Sequence, residues 1–415
     1  YQSNSNFIDK FFKIISYKEK TMGNFRNKNV YQVLGVQQSI NAVGTGTAVG
    51  GSGPPEFVRS KMEESSLGFV DMKQLLEKSG EYLAKLFGTE AVYITSGGAA
   101  ALTLSAAASM AGTDPIKIRQ LPDTNGIKSE ILVPKKRMDE VKGYDRTITA
   151  SGAKLVEFGS ESAVTVEDLE TAINSNTAAV YYSWPPYGAL PLGMYNWPPP
   201  PGDPNILSPD EAKSITQKYN IPVIVDAGAE IFPLDHIKKV AQSGDLVCFG
   251  GKYFGGPNAT GIIAGSSDLI KAVSAQSFIP TAGALGVGRS MKLDRQQIVA
   301  IVVAVDEWFS MDHTKRISDY DKKISVIYEA IKDLKGVAAK IQWEDNSFHG
   351  SFLIGKIDTE YFGKKATTIK DELFEGDPSI LIQAPNPGTI RLFVYTLYDG
   401  EEHIIAKRLI EVLQK

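Results

Sequence analysis

A lysine and an aspartate near the middle of the chain have the types and spacing of a reactive pair. Asp226 ends the apolar run Ile-Pro-Val-Ile-Val, and Lys252 follows a second apolar run that begins at Leu246. They are 252 − 226 = 26 residues apart, which leaves room for one helix between two strand ends. In a parallel sheet the amine and the carboxylate would lie side by side at the carboxyl edge, where open α/β sheets bind ligands.

Pyridoxal 5'-phosphate is a cofactor that needs this pair of groups. It requires a lysine to form its Schiff base and an acid to keep the pyridine nitrogen protonated. The competing interpretation is a surface lysine and a strand-end aspartate that never meet. The pair alone does not decide between the two interpretations.

Two glycine-containing segments could lie close to a ligand. Ser96, Gly97 and Gly98 follow an apolar run and open an alanine-rich stretch, so they predict a phosphate seat at a helix start, or else an N-cap serine. The loop from Gly44 to Gly53, which includes Thr45, lacks the glycine spacing of a dinucleotide fingerprint. We expect this loop to approach a ligand or another subunit.

The composition excludes several classes of protein. The 415 residues are 43% hydrophobic and carry a net charge of −4, which is typical of a soluble globular protein and argues against nucleic acid as the main partner. No apolar stretch is long enough to span a membrane, and the first residues do not have the layout of a signal peptide. The single cysteine, Cys248, excludes internal disulfides and is typical of a reducing cytoplasm.

Seven short apolar runs alternate with helical patterns and predict an α/β fold with a mainly parallel sheet covered by helices. A long helix is expected over residues 60–88, with Val70 and Tyr82 in its inward stripe. After about residue 285 an apolar helical pattern is followed by a charged helical pattern and then by alternating strand and helix patterns. This change indicates a smaller C-terminal α+β domain. We therefore expect an N-terminal segment with the glycine-rich loop (1–55), a large domain (56–285) and a small domain (286–415). The seven runs are residues 91–95, 130–134, 154–158, 178–183, 222–226, 245–249 and 260–264.

Two arginines are candidates for binding an anionic substrate group. Arg391 lies in a strand-like run, and Arg289 forms a basic pair with Lys292. A guanidinium binds carboxylates through two parallel hydrogen bonds, although an ordinary surface role is equally compatible with the sequence. The four histidines have no metal-ligand spacing, so no metal site is expected.

Several long blocks of the sequence resemble fold-type-I pyridoxal-phosphate enzymes of the selenocysteine-synthase-like group, in particular the D-glucosaminate-6-phosphate ammonia-lyase branch. The resemblance extends from about residue 29 to the C-terminus. The blocks are Val30-Tyr-Gln-Val-Leu-Gly-Val-Gln-Gln-Ser-Ile-Asn-Ala-Val-Gly, Tyr93-Ile-Thr-Ser-Gly-Gly-Ala-Ala-Ala-Leu-Thr-Leu, Val225-Asp-Ala-Gly-Ala-Glu, Gly250-Gly-Lys-Tyr-Phe-Gly-Gly-Pro, Val287-Gly-Arg-Ser-Met-Lys and Gly400-Glu-Glu-His-Ile-Ile-Ala-Lys-Arg.

The resemblance implies an aspartate aminotransferase-like fold and a role for each matched residue. Lys252 would form the Schiff base and Asp226 would hold the pyridinium. The phosphate seat would be Ser96 to Gly98, and the cofactor site would extend to the glycines at 255 and 256. The group forms homodimers or larger rings with shared active sites, so the loop from Gly44 to Gly53 could serve a neighbouring subunit.

Two departures from the group affect the expected substrate. Phe249 stands three residues before the lysine, where relatives often have serine. Relatives also carry a histidine after the second strand, where this chain has Lys135, Lys136, Arg137 and Met138. Both differences lie near the expected cofactor, so the substrate could differ from that of the named branch.

The reaction that we expect is an elimination from an amino acid or amino-sugar acid, with a phosphorylated substrate among the options. Lys252 would take the Cα proton, a β-hydroxyl would leave, and a 2-keto acid and ammonia would form. Selenium transfer on a charged tRNA, and racemase, aldolase or aminotransferase chemistry, use the same residues and stay open. A non-catalytic protein that binds the cofactor is the remaining alternative.

Overall fold

The computed structural model describes residues 29–135, 144–184, 205–280, 285–344 and 350–414. Lys136, Arg137, Met138 and the proline-rich stretch 198–204 lie outside these ranges. A seven-stranded sheet forms the centre of the larger hydrophobic core. Its strands are β2 (Ala91–Thr95), β3 (Glu130–Pro134), β4 (Lys154–Phe158), β5 (Thr177–Ser183), β6 (Val223–Asp226), β7 (Leu246–Gly250) and β8 (Gly261–Gly265).

The strand order across this sheet is β2-β8-β7-β6-β5-β3-β4. Only β8 runs antiparallel to its neighbours, and the other adjacent pairs are parallel. The prediction of a mainly parallel seven-stranded sheet is confirmed, and each strand lies within one residue of its predicted apolar run. The runs locate the strands so closely because both faces of the sheet are covered, which requires continuous apolar side chains.

Helices cover both faces of the sheet and connect its strands. Within the described ranges, no helix is both long enough and apolar enough to cross a bilayer. The helices up to the end of this core are α1 (Val30–Leu34), α2 (Glu56–Ser66), α3 (Met72–Phe87), α4 (Gly98–Ala111), α5 (Pro115–Gln120), α6 (Asp145–Thr149), α7 (Val166–Ala172), α8 (Pro209–Thr216), α9 (Leu234–Gln242), α10 (Ser267–Ala275) and α11 (Arg295–Ser310).

The prediction of a single helix over residues 60–88 is wrong. The chain forms α2 and α3, and it leaves the helical path between Leu67 and Asp71. Gly68 has low helix propensity, and the Asp71 carboxylate caps the new helix by accepting a hydrogen bond from the Gln74 amide. Val70 lies in this break and is 54% exposed, and Tyr82 is 43% exposed, so neither belongs to an inward stripe.

The C-terminal part builds a second hydrophobic core around an antiparallel sheet, which has the strand order β12 (Gln383–Asn386), β13 (Thr389–Phe393), β10 (Gly350–Ile357), β9 (Val337–Glu344). Strand β1 (Ser39–Asn41), near the start of the described chain, pairs in parallel with β11 (Ser379–Leu381) and joins this part of the molecule. The remaining elements are α12 (His313–Ile331), β9 (Val337–Glu344), β10 (Gly350–Ile357), α13 (Thr359–Phe362), α14 (Ala366–Phe374), β12 (Gln383–Asn386), β13 (Thr389–Phe393) and α15 (Glu401–Leu413).

Candidate active site

Asp226 and Lys252 follow neighbouring parallel strands, at the same edge of the large sheet. Asp226 is the last residue of β6 and is paired in register with Cys248 of β7. Two residues after β7 ends, Lys252 lies in a short 3-10 turn, Gly251–Phe254. The Gly250 amide donates to the Gly228 carbonyl at 2.8 Å, which ties the two strand ends together beyond the sheet.

The Asp226 carboxylate is held by neutral donors. Its Oδ1 accepts the Gly228 amide at 3.0 Å, and the Tyr181 hydroxyl lies 3.5 Å from Oδ2. Desolvation raises the pKa of Asp226 to about 6, although these two hydrogen bonds act in the opposite direction. Among the residues that the structure describes, no basic side chain forms an ion pair with this carboxylate.

The Lys252 amine has a hydroxyl partner from a distant part of the sequence. Its Nζ donates to Thr47 Oγ1 at 3.1 Å, and the Tyr253 ring centroid lies 5.2 Å from Nζ. Burial lowers the pKa of Lys252, because desolvation penalises the charged amine. The amine is therefore easier to deprotonate than an ordinary surface lysine.

The predicted phosphate seat lies at the same edge of the sheet. Thr95 of β2 aligns with Gly261 of β8, which aligns with Gly250 of β7. Gly97 follows β2 with φ 140°, a conformation that requires glycine, and α4 begins at Gly98. A Cβ on Gly98 would lie only 3.8 Å from the Gly250 Cα, so the helix start sits directly beside the turn that carries Lys252.

Small side chains bring α4 close to the sheet. The helix is apolar nearly all round, and ten of its residues are buried. Ser105 contacts Cys248 at 3.4 Å between Oγ and Sγ. This close packing directs the first-turn amides of α4, which have no partner within a helix, to the edge where Asp226 and Lys252 lie.

These residues fit pyridoxal phosphate. Asp226 is a desolvated acid without a cationic partner among the described residues. A protonated pyridine nitrogen would be a cationic partner for this carboxylate. Lys252 provides an amine of lowered pKa, and the start of α4 provides free amides and a positive dipole end for the phosphate. Tyr253 lines the same cavity as Lys252. Burial raises the pKa of Tyr253 and of Tyr144, and the Asp226 charge adds to the rise in both.

The other predicted site residues lie at different places. Gly255 and Gly256 continue the turn after Lys252: Gly255 has φ 86°, and a Cβ on Gly256 would lie 2.8 Å from Ile301. Thr45 lines the same cavity as Lys252. Arg289 is exposed on a turn beside α4, and Arg391 lies on β13 with its Cζ 5.3 Å from the Phe352 ring centroid. Neither arginine is in the described wall of the Lys252 cavity.

Sequence reasoning missed Thr47, Tyr181 and Arg316. Thr47 lies in the glycine-rich loop that is expected near a ligand or another subunit, and the structure brings it to this chain's own lysine. Tyr181 lies inside an apolar run, where nothing in the sequence distinguishes it from a core residue. Arg316 lines the Lys252 cavity from α12, and its spacing from the other site residues gives no signal.

The chain is similar in sequence to characterised enzymes, although no family model matches it. It is 28% identical over 391 residues to D-glucosaminate-6-phosphate ammonia lyase of Salmonella typhimurium. This alignment covers 93% of this chain and 98% of the relative. It is 27% identical over 394 residues to 5'-C-glycyluridine monooxygenase-decarboxylase of a Streptomyces species, with 92% of each covered. L-seryl-tRNA(Sec) selenium transferase of Aquifex aeolicus is 23% identical, with 83% of this chain and 70% of the relative covered.

Solved structures have the same architecture. The structure of a D-glucosaminate-6-phosphate ammonia-lyase superposes with a TM-score of 0.77 at 26% identity and covers 94% of this chain and 99% of its own. A Sphingomonas wittichii serine palmitoyltransferase, at 12% identity and a TM-score of 0.53, covers 91% of this chain and 87% of its own and shows the fold alone. The resemblance inferred from the sequence is therefore confirmed: the chain is an enzyme with the fold of the type-I pyridoxal-phosphate enzymes, related along nearly its whole length to D-glucosaminate-6-phosphate ammonia lyase.

Proposed function

We propose that the protein is a pyridoxal-phosphate-dependent ammonia-lyase that acts on an amino acid or amino-sugar acid. It removes water from the α and β carbons and releases ammonia to leave a 2-keto acid. The observation that carries the proposal is the placement of Asp226 and Lys252 at adjacent parallel strand ends beside the start of α4. The similarity to an ammonia lyase over 93% of the chain supports the choice of reaction.

Each group has a defined task in this proposal. Ser96, Gly97 and Gly98 hold the cofactor phosphate at the positive end of α4. Asp226 would accept a hydrogen bond from the protonated ring nitrogen, and its negative charge would keep that proton in place. The bound cofactor supplies an electron sink for the pair of electrons released at the substrate Cα.

Lys252 moves the protons of the reaction. Its lowered pKa favours the free amine, which takes the proton from Cα as a general base. The β-hydroxyl leaves as water after accepting a proton, and the remaining C=C–N unit takes up water to give the 2-keto acid and ammonia. Thr47 Oγ1, 3.1 Å from Nζ, orients the amine.

Aminotransferase, racemase and aldolase chemistry would use the same lysine and aspartate. These reactions differ from elimination in the bond that is broken or in the fate of the electrons at Cα, and the ammonia-lyase similarity favours elimination among them. Selenium transfer on tRNA has weaker support, because those relatives match with lower identity or over a smaller part of the chain. The net charge of −4 also gives no broad basic surface for tRNA.

A cytoplasmic homo-oligomer is part of the proposal. Helix α1 has no buried residue, and Val30, Tyr31 and Leu34 are 48%, 46% and 61% exposed. An apolar helix of this kind is typical of a surface that a second subunit covers. Light scattering of the purified protein tests this, and Leu34→Asp is expected to shift the mass towards the monomer.

The test of the lyase proposal combines cofactor binding with product analysis. Wild-type protein mixed with pyridoxal phosphate should gain the visible absorbance band of a covalently bound lysine amine, and Lys252→Ala should lack it. Lys238→Ala, on the exposed face of α9, is the matched control and should keep the band. Ammonia and keto acid should appear in equal amounts from a 2-amino-3-hydroxy acid, and D-glucosaminate 6-phosphate belongs in the panel. A wild-type protein without the band, or keto acid without ammonia, contradicts the proposal.

Oxygen-dependent decarboxylation is a second candidate, supported by the match to 5'-C-glycyluridine monooxygenase-decarboxylase over 92% of both chains. That relative is nearly as similar to this chain as the ammonia lyase is. Oxygen uptake and carbon dioxide release, measured on the same substrate panel, separate the two candidates. Product formation that continues under anaerobic conditions, without carbon dioxide, supports the lyase.

A further inference from the structure

The turn between α5 and β3 contains Asn125-Gly126, the only Asn-Gly pair of the sequence. Both residues are exposed, and the Ile127 amide donates to the Thr124 carbonyl at 3.0 Å across the turn. Gly126 has φ 75°, a conformation that glycine adopts readily because it lacks a Cβ. The turn therefore holds a solvent-exposed asparagine directly before an unhindered peptide nitrogen.

The side chain of Asn125 and the nitrogen of Gly126 are both free to react. Among the residues that the structure describes, neither the Asn125 carboxamide nor the Gly126 N–H has a hydrogen-bond partner. The bonds of Asn125 come from its backbone: its N–H donates to Asp123 Oδ1 at 3.0 Å, and its carbonyl accepts from Gln120 Nε2 at 2.7 Å. A Cβ placed on Gly126 would meet nothing within 4 Å, so water has open access.

Gln120 makes the Gly126 nitrogen easier to deprotonate. This nitrogen and the Asn125 carbonyl belong to one peptide group, so the negative charge left by the proton spreads to the carbonyl oxygen. The hydrogen bond from Gln120 to that oxygen stabilises the charge. The Asp123 carboxylate on the Asn125 N–H acts in the opposite direction, and the exposed Lys128 is the nearest cation along the chain.

We propose that Asn125 is a site of spontaneous deamidation in the folded protein, and that the hydrogen bonds of the turn set its rate. The Gly126 nitrogen loses its proton and attacks Asn125 Cγ. The N–Cγ bond forms, the Cγ–Nδ2 bond breaks, and ammonia leaves with a proton. Water then opens the cyclic imide at either carbonyl, which gives aspartate or isoaspartate and changes the formal charge from −4 to −4 − 1 = −5.

A second turn shows how the protein protects a similar dipeptide. Asp399-Gly400 is also exposed, and Gly400 has φ 92°. Here the Gly400 N–H donates to Glu402 Oε2 at 3.0 Å, and Asp399 Oδ1 lies 2.8 Å from Lys323 Nζ. The glycine nitrogen must leave its carboxylate partner before it can attack, which slows the reaction at this turn.

The site is remote from the candidate active site. Strand β3 begins at Glu130 and runs parallel to β5, which runs parallel to β6. The turn before Glu130 therefore lies at the amino edge of the large sheet, whereas Asp226 lies at the carboxyl edge. Deamidation of Asn125 alters the surface charge independently of the proposed lyase reaction, so failure of either proposal leaves the other standing.

Incubation of the folded, full-length protein at mildly alkaline pH tests the inference. Peptide mapping by mass spectrometry should find deamidation at Asn125 first, at a rate that rises in proportion to hydroxide concentration. Isoelectric focusing should show a more acidic species that appears at the same rate, and Asn125→Gln should not form it. Asn220 is the internal control, because it is exposed but the next nitrogen, of Ile221, donates to the Thr216 carbonyl. An Asn125 that reacts no faster than Asn220 overturns the inference.

Two variants test the part that the hydrogen bonds play. Asp399→Asn places the same dipeptide at the protected turn, and position 399 should deamidate at least about tenfold more slowly than Asn125. This side chain is fully exposed, so the fold tolerates the change. Gln120→Met removes the donor to the Asn125 carbonyl and should slow the reaction at Asn125 by about threefold. Equal rates at positions 399 and 125, or a wild-type rate in Gln120→Met, would overturn the role assigned to these bonds.

Discussion

Asp226, the last residue of β6, and Glu230, four residues further along the chain, are two acids with different hydrogen-bond partners. Glu230 is 5% exposed and has a partner within the chain, since its Oε2 lies 2.9 Å from His236 Nε2. Within the described ranges, the partners of the Asp226 carboxylate are a backbone amide and a tyrosine hydroxyl. Desolvation raises the pKa of both carboxyls, and His236 opposes that rise only at Glu230.

This difference separates a structural acid from one that is prepared for a ligand. A buried carboxylate is stabilised by a hydrogen bond from a side chain that can carry a positive charge, and Glu230 has such a partner in His236. Asp226 lies on the strand next to the one that leads to Lys252, and it lacks such a partner among the described residues. The arrangement costs stability in the cofactor-free protein, and a cationic ring nitrogen offsets that cost.

Asp226→Asn should give the largest effect on catalysis. The amide keeps the shape of the side chain but cannot hold a proton on the ring nitrogen, so turnover should fall by about a hundredfold to a thousandfold. Ammonia release per bound cofactor is the measurement. The same loss in Glu230→Gln would remove the distinction between the two acids.

The stability of the cofactor-free protein should change in the opposite direction. The folded-state pKa of Asp226 is raised from 3.8 to about 6, so ionisation costs nothing below pH 3.8 and its full cost is present above pH 6. Asp226→Asn should therefore raise the free energy of unfolding above pH 6 by up to about 3 kcal/mol. Partial solvent access of the side chain screens the charge and reduces this value.

Urea unfolding of wild type and Asp226→Asn across pH 4 to about 7 measures this difference. The gap between the two should grow as the pH rises from 3.8 to about 6, and it should stay constant above the raised pKa of Asp226. Saturating pyridoxal phosphate should stabilise the wild type more than the variant. A gap that is already complete at low pH would mean that charge is not its cause.

Glu230→Gln should have a smaller effect, on stability alone. Glutamine can still form a hydrogen bond with His236 but loses the charge assistance, a loss of about 1 kcal/mol. Burial also raises the pKa of Glu230, so removal of the buried charge offsets part of this loss. Turnover should stay within about threefold of wild type. The measurement pairs urea unfolding with ammonia release, and Asp226→Asn serves as the contrasting variant.

Thr47→Val should give the smallest effect, at the amine rather than at the acids. The Thr47 hydroxyl accepts from Nζ and stabilises the charged amine, so its loss should lower the pKa of Lys252 slightly further. The rate at which cofactor-free protein takes up pyridoxal phosphate should then reach its plateau at a lower pH. A shift to higher pH would show that the hydroxyl favours the neutral amine.

The sequence predicts the large sheet well because its strands are continuous apolar runs, a signal that depends only on neighbouring residues. It also predicts that Asp226 and Lys252 lie at strand ends, since Asp226 ends one such run and Lys252 comes shortly after another. Apolar spacing continues through the break at Gly68, which is why the pattern over 60–88 predicts one helix instead of two. The spacing of apolar residues along the chain does not indicate that Val70 is exposed to solvent in this break.

The cavity at Lys252 could not be predicted in the same way. Thr47, Lys252 and Arg316 lie on segments whose meeting depends on how the two cores dock. Arg391 has a position in a strand that suggests a role, but its guanidinium packs over Phe352. Distances between remote segments are set by packing, and a pattern of residue types along the chain does not encode them.

The pairing of β1 with β11 has a consequence for how the enzyme is made. The loop that carries Thr47 follows β1, and β1 is anchored by residues 379–381. The Ala42 carbonyl also accepts from the Phe393 amide. Residues 379–381 and 393 follow Lys252 in the chain, so they are synthesised after it. The contact between Lys252 and Thr47 can therefore form only after this late strand has been made and has paired with β1.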